Sequence, residues 1–246
     1  TIMCWWLTTS SDRFFIQHYF SLSDNGIYAV AARFGAIMQI VGAIIFQAWQ
    51  EMALRQYNSP DRDKFFSEMV NLFIMFMSIA ALCFAFGLKI VYPFIVSPEY
   101  VAGIVYVFPI IASSVLYALS NILEVGYQCS FETGRALLGV GVSAAVNILL
   151  NLVLIQTIGI YGVVFTSVVT YAVLLGFRIH DSRRYFKINI SKMSILTVAI
   201  GAVGVFPFYF TDSVLVDVVM IMIGLAAMTL VAPRVLRSLR QSKRGS

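Results

Sequence analysis

Apolar runs of about 18 or more residues follow one another along nearly all of the 246-residue chain, separated by short polar breaks. A hydrocarbon core about 30 Å thick is crossed by about 20 helical residues at 1.5 Å each, so runs of this length mark transmembrane helices. We place spans at 1–20, 26–49, 67–88, 104–124, 136–157, 160–178, 193–210 and 214–232. The fold class that follows is all-α integral membrane, with about eight transmembrane helices. Composition points the same way, with 60% of residues hydrophobic and 12% charged, whereas soluble domains carry about 25% charged residues. The longest connections, near 50–66 and 179–192, are too small to hold a soluble domain. The chain opens Thr1-Ile-Met-Cys4, already apolar, with no basic flank and no cleavage-site pattern. It reads as starting inside a helix, with an N-terminal portion missing.

Basic residues orient the spans. With the 50–66 loop taken as cytoplasmic, that side holds Arg55, Arg62 and Lys64, then Arg135. It also holds Arg178, Arg183, Arg184, Lys187 and Lys192, and finally Arg234, Arg237, Arg240, Lys243 and Arg244. Only Lys89 falls in an opposite-side loop. The C-terminus is therefore expected to be cytoplasmic, and the formal charge of +5 reports topology and contact with anionic lipid, not nucleic acid. Cys4, Cys83 and Cys129 are scattered and odd in number, and no H-E-x-x-H or C-x-x-C spacing exists, so neither a disulfide framework nor a metal site is expected. With no Walker motif, nucleophile–base arrangement or paired loop carboxylates, the chain is not expected to be an enzyme or to carry a cofactor.

Charge inside the spans is what points to a function. Arg33 lies within the run Gly26 to Trp49, where a central arginine costs about 2.5–3.5 kcal/mol unless it faces a bundle interior or an aqueous path. The first hairpin turns near Ser23, which sets Asp12, Arg13 and Arg33 at similar depth in the outer half of the membrane. One reading is an Asp12–Arg33 salt bridge that locks two helices. The other is a cationic site for phosphate, since two arginines against one aspartate leave a net positive charge and arginine makes fork-shaped contacts with oxyanions. On the span 104–124, Ser114, Tyr117, Asn121, Glu124 and Gln128 share one helical face. Of these, Tyr117 and Asn121, with Gln47 of the second span, join Arg33, Arg13 and Asp12 as substrate-binding candidates. Asp12 and Glu124 are candidates for ion coupling, although Glu124 sits near a span end where it is also simply solvated. Ser143, Asn147 and Asn151 step by four along the next span and read as a packing stripe. Gly162 and Gly176, and Gly201 with Gly204, are small-residue sites for close helix approach. Pro109 and Pro207 are expected to bend their helices.

Several of these stretches, taken in order, resemble a known family. Ser11-Asp-Arg-Phe-Phe-Ile16, Gly26-Ile-Tyr-Ala-Val-Ala-Ala-Arg33 and Ala48-Trp-Gln50 look like the second half of bacterial polysaccharide flippases of the O-antigen translocase type. So do Asn147-Ile-Leu-Leu-Asn-Leu-Val-Leu-Ile155 and Ile158-Gly-Ile-Tyr-Gly-Val164. These flippases belong to the multidrug/oligosaccharidyl-lipid/polysaccharide exporter superfamily. The similarity runs from Asp12 to about Phe186. It departs at Gln156-Thr157, where relatives commonly carry proline, and at Thr133-Gly-Arg135, where they often show a Lys-Thr-Lys-like turn.

The resemblance implies two helical bundles facing each other in a V, with this chain supplying the second. Residues 1–178 would form that transmembrane lobe, its first helix truncated. Residues 179–192 would be a cytoplasmic basic loop, 193–232 two additional transmembrane helices, and 233–246 a basic cytoplasmic tail. It implies a bacterial inner-membrane protein that moves an undecaprenyl-pyrophosphate-linked oligosaccharide outward by alternating access. The implied partners are that lipid-linked oligosaccharide, the missing N-terminal lobe, membrane lipids, and a polysaccharide polymerase with its chain-length regulator. Arg33 would take the place of a cavity arginine found in the related peptidoglycan-precursor flippases. Three rivals stay open, one of them a non-transporting membrane scaffold, for which intramembrane charge would be surplus. A multidrug antiporter on the same scaffold would favour an acidic cavity for cationic drugs, and an integral-membrane glycan polymerase or ligase would need a large outer loop.

Overall fold

In the computed structural model the backbone is described for residues 2–242 and the side chains for residues 10–229. The helices are α1 (Ile2–Tyr19), α2 (Leu22–Gln56), α3 (Arg62–Ile95), α4 (Ile104–Ser130), α5 (Thr133–Ile158), α6 (Ile160–Ser182), α7 (Lys192–Val203), α8 (Val205–Phe210) and α9 (Val214–Ser242), with a 3₁₀ turn at Pro98–Gly103 before α4. The described residues contain no strand. Six helical stretches are long and apolar enough to cross a bilayer, α7 and α8 together making one of them. With α1 and the apolar start of α9, the chain is an all-α multi-pass membrane protein of about eight helices. The cytoplasmic tail expected at 233–246 falls outside the described side chains.

Local chemistry sets the breaks. Ser21 caps α2 in a capping box with Asp24, each side chain bonding the other's backbone N–H. The first turn is therefore at Phe20–Ser21, slightly earlier than the Ser23 expected. Phe131 ends α4 in the left-handed region (φ 59°) and Gly159 separates α5 from α6 at φ 66°, a conformation glycine adopts without a Cβ penalty. Pro207 cannot donate to the carbonyl of Val203 and its ring crowds that group, and the helix breaks there into α7 and α8. Pro109 and Pro93 lie inside α4 and α3, which continue past them. Helices also run further than the apolar windows. α2 and α3 contain 35 and 34 residues, about 50 Å each at 1.5 Å per residue, so the expected 50–66 loop shrinks to residues 57–61.

Packing divides the chain into two compact units, residues 1–57 with 96–185, and residues 58–95 with 186–246. In the first, α2 packs on α4, α4 on α6, α6 on α5, and α5 on α1. In the second, α3 packs on α9 and α7. The division expected at 178–193 is thus crossed by α3, which groups with the C-terminal helices. Its apolar face supplies the reason. Met75 and Ile79 are buried against Leu72, Cys83, Met193, Ala227 and Met228, while Gly224 and Gly204 let α9 and the α7–α8 break come up against Cys83 and Leu82. Lys89, expected in an outer loop, is inside α3 instead. Its Nζ lies 3.5 Å from Asp217 Oδ1, donates to the Thr211 carbonyl and sits 5.4 Å from the Phe208 ring centre. Residues 186–191 of the following connection belong to the same unit and are pinned there: Asn71 Nδ2 donates to the Asn189 carbonyl, and Ser191 N–H donates to Asn71 Oδ1.

Small residues set the close approaches in the first unit. A Cβ on Gly35 would collide with Ile110, and one on Gly162 with the Leu154 backbone. Nothing lies within 4 Å of where a Cβ would stand on Gly176 or Gly201, so of the small-residue sites expected from the sequence, Gly162 and Gly204 are the close-packed ones.

A candidate anion-binding cavity

The first unit holds a cavity of about 540 Å³ walled by α1, α2, α4 and α6. α1 brings Asp12 and Arg13 to it, and α4 brings Ser114, Tyr117 and Asn121. On α2 the lining residues Ala32, Ala36, Gln39 and Ala43 recur every three or four positions, which puts them on one helical face. The alanines leave room there, and Arg33 stands at the edge of that face. α6 closes the wall with Ser167 and Tyr171, the latter against Tyr117 with ring centres 5.1 Å apart.

Asp12 is buried, yet it does not pair with Arg33. Its carboxylate accepts from Ser167 Oγ at 2.7 Å, Asn151 Nδ2 at 2.8 Å, Tyr28 Oη at 3.3 Å and Asn147 Nδ2 at 3.5 Å. Neutral donors from three other helices thus take the place of the expected salt bridge, because α5 packs on α1 and offers its asparagines from that side. Asn147 and Asn151 are the polar stripe of α5, while Leu149, Leu152 and Val153 of the same helix are exposed. This inside-out amphipathicity suits a helix whose other face meets lipid. The stripe was legible as packing in the sequence; that its ligand is Asp12, with Ser167 completing the ring, was not.

Arg13 and Arg33 line the cavity, are both exposed, and make no hydrogen bond or ion pair among the described residues. The two cations are therefore presented without a neutralising carboxylate. The geometry brings together five of the expected site residues, Asp12, Arg13, Arg33, Tyr117 and Asn121. Gln47 is exposed and outside the cavity lining. Glu124 is also outside it, and its Oε2 accepts from Arg178 at 2.9 Å.

Arg178 is the residue whose placement the sequence concealed. It ends an apolar run, where a basic residue ordinarily marks a cytoplasmic flank, but it is 1% exposed and buried between α6 and α4. Besides Glu124 it donates to Asn121 Oδ1 at 3.0 Å and Ser120 Oγ at 3.4 Å. A second polar cluster follows at the same end of these helices. Arg135 pairs with Glu132 at 2.6 Å and with Asp181 at 3.3 Å, and Arg184 pairs with Asp181 at 3.1 Å. In the connection beyond α6, Tyr185 donates to Glu132 at 2.8 Å. Burial first, and that bond second, push its phenol up to about 12, so it remains a donor at any physiological pH.

Compared with protein-family models, with curated proteins and with solved structures, the chain matches none of them.

Proposed function

We propose that the chain forms the cationic side of a flippase for a lipid-linked oligosaccharide, an undecaprenyl-pyrophosphate carrier bearing an O-antigen, capsule or exopolysaccharide repeat. The observation that carries this reading is the pair Arg13 and Arg33, both lining one cavity and neither neutralised by Asp12. Intramembrane charge is costly and is ordinarily paired, so two unpaired guanidinium groups fit a site whose anion arrives with the substrate. A pyrophosphate offers the oxygens that a guanidinium fork matches. In this reading the sugar-pyrophosphate head crosses through the cavity while the polyprenyl tail stays in lipid. A preceding bundle of the same protein faces the exposed arginines and rocks to alternate access. The membrane would be the bacterial inner membrane, with the C-terminus cytoplasmic. A cationic cavity disfavours cationic drugs as cargo.

Asp12 has a separate part in the proposal. Its buried carboxylate, ringed by Ser167, Asn151, Asn147 and Tyr28, is the group that would take up a coupling cation or proton. Transport would then draw on an ion gradient.

The test is complementation of a flippase-null strain with the full-length gene. Arg33→Ala should abolish surface glycan while protein abundance stays unchanged, and Arg33→Lys should restore only part of it. Normal glycan display by Arg33→Ala would overturn the reading.

A further inference from the structure

α2 and α4 run side by side in the same direction, and their contacts fix the level of each residue along the cavity. A Cβ on Gly35 would meet Ile110, and Gln39 Nε2 donates to Ser114 Oγ at 3.5 Å. Further on, Trp49 Nε1 donates to the Ile122 carbonyl at 3.1 Å and Gln50 Nε2 to Gln128 Oε1 at 2.8 Å. On this register the cavity has two unlike ends. Its charged residues, Asp12, Arg13 and Arg33, stand on one side of the Gly35–Ile110 contact, where Tyr28 of α2 reaches Asp12. Past that contact the wall continues to Asn121, about three turns or 16 Å along α4, and no charged residue lines it. Arg178, which donates to Asn121, is itself paired with Glu124. The cavity is thus cationic at one end and neutral along the rest, and it is longer than two bridged phosphates require.

The groups on the neutral stretch match hydroxyls better than phosphate. Gln39 makes one bond among the described residues, to Ser114 at the limit of hydrogen-bonding distance. Its amide otherwise offers both N–H and C=O; a phosphate oxygen only accepts, whereas a hydroxyl donates and accepts. Tyr117 presents a half-buried ring backed by the buried Tyr171, with centres 5.1 Å apart. The negative face of an aromatic ring attracts the weakly positive C–H groups of a pyranose. A polyprenyl tail would instead leave the Gln39 amide short of partners. Resting on the anion reading above, we propose that this stretch is a carbohydrate subsite. It takes the uncharged sugar joined to the pyrophosphate, with Gln39 bonding that sugar's hydroxyls and Tyr117 stacking on its ring. Arg13 and Arg33 hold the phosphates, and the first sugar lies from them toward the C-terminal ends of α2 and α4. A uronic acid is excluded, because its carboxylate would give up hydration to a wall with no cation to replace it.

The experiment compares calorimetric affinities of the purified full-length protein in detergent for farnesyl pyrophosphate and for its conjugates with glucose, galactose, N-acetylglucosamine and glucuronic acid. At least one neutral conjugate should bind about tenfold tighter than the parent, the worth of one or two hydrogen bonds. The glucuronic acid conjugate should gain nothing. Gln39→Met, close in size but without the amide, and Tyr117→Leu, without the ring, should each lower the ratio of conjugate to parent affinity by about threefold to tenfold. Taking the ratio cancels any general loss of folded protein or of phosphate binding, and the parent's own binding reports that the variants fold. Neutral conjugates that bind no tighter than the parent, a glucuronic acid conjugate that binds tightest, or an unchanged ratio in either variant overturns the subsite. Arg33→Ala separates the two ideas. Weakened parent binding there, beside neutral conjugates that gain nothing in the wild type, sinks the sugar subsite alone. Unaltered parent binding in Arg33→Ala sinks the anion site, and the subsite with it.

Discussion

A carboxylate in a membrane span is tolerated either through an ion pair or through a ring of neutral donors, and Asp12 takes the second course. The choice leaves a charge that is satisfied but not cancelled, and two arginines nearby that are neither. It also makes two substitutions at Asp12 diverge. Asp12→Leu would strand Asn151, Ser167 and Tyr28 in a buried site, where each unmade bond costs about 1–3 kcal/mol; a drop in the detergent melting temperature is expected. Asp12→Asn keeps most of the bonds and removes the charge. It should fold near normally, bind pyrophosphate, and lose the dependence of glycan transport on an imposed ion gradient. Gradient-dependent transport in Asp12→Asn vesicles would remove Asp12 from the coupling role. The sequence placed Asp12, Arg13 and Arg33 at one depth, because helical rise and a turn are enough for that. It could not say which neighbour the carboxylate would choose, since Asn147, Asn151 and Ser167 lie more than 130 residues away.

At the scale of the helices, hydropathy located the spans and misjudged their ends. Lys89 shows why. A lysine after an apolar run reads as the start of a loop, but α3 carries it inside because α9 supplies Asp217 and the end of α8 supplies the Thr211 carbonyl. Arg178 misleads for the same reason on α6, where Glu124 is its partner. Buried charges with distant partners are indistinguishable in sequence from charges at a membrane surface. The pair on α3 and α9 has side chains only 13% and 4% exposed, so removing one partner leaves the other buried alone. Lys89→Met should destabilise the protein by about 3–5 kcal/mol, and the double change with Asp217→Leu should recover most of that loss. Thermal unfolding of the single and double variants reads this directly; equal losses in both would show the ion pair to be immaterial.

Over the whole molecule, the all-α multi-pass architecture was legible from run length and composition alone, because lipid imposes both. The grouping of helices was not, because apolar faces of α3 and α5 look alike until packing distinguishes them. Topology remains open to a direct check, since the proposed orientation sets opposite sides for two exposed positions. In intact cells a cysteine at Glu99, in the 3₁₀ turn before α4, should react with an impermeant maleimide. One at Arg183, just after α6, should react only once the cells are opened. The reverse pattern would invert the orientation and with it the direction of transport. The excursion of α3 also has a consequence for biosynthesis. α3 ends at Ile95, its partner α7 starts at Lys192 and its partner α9 starts at Val214. At about 5–20 residues per second the ribosome needs on the order of ten seconds to supply them. For that interval Met75, Ile79 and Lys89 wait in the membrane without the surface they are shaped for, while α2 has only to await α4. Insertion of this chain is therefore out of register with its assembly, and α3 is open to quality control during the delay.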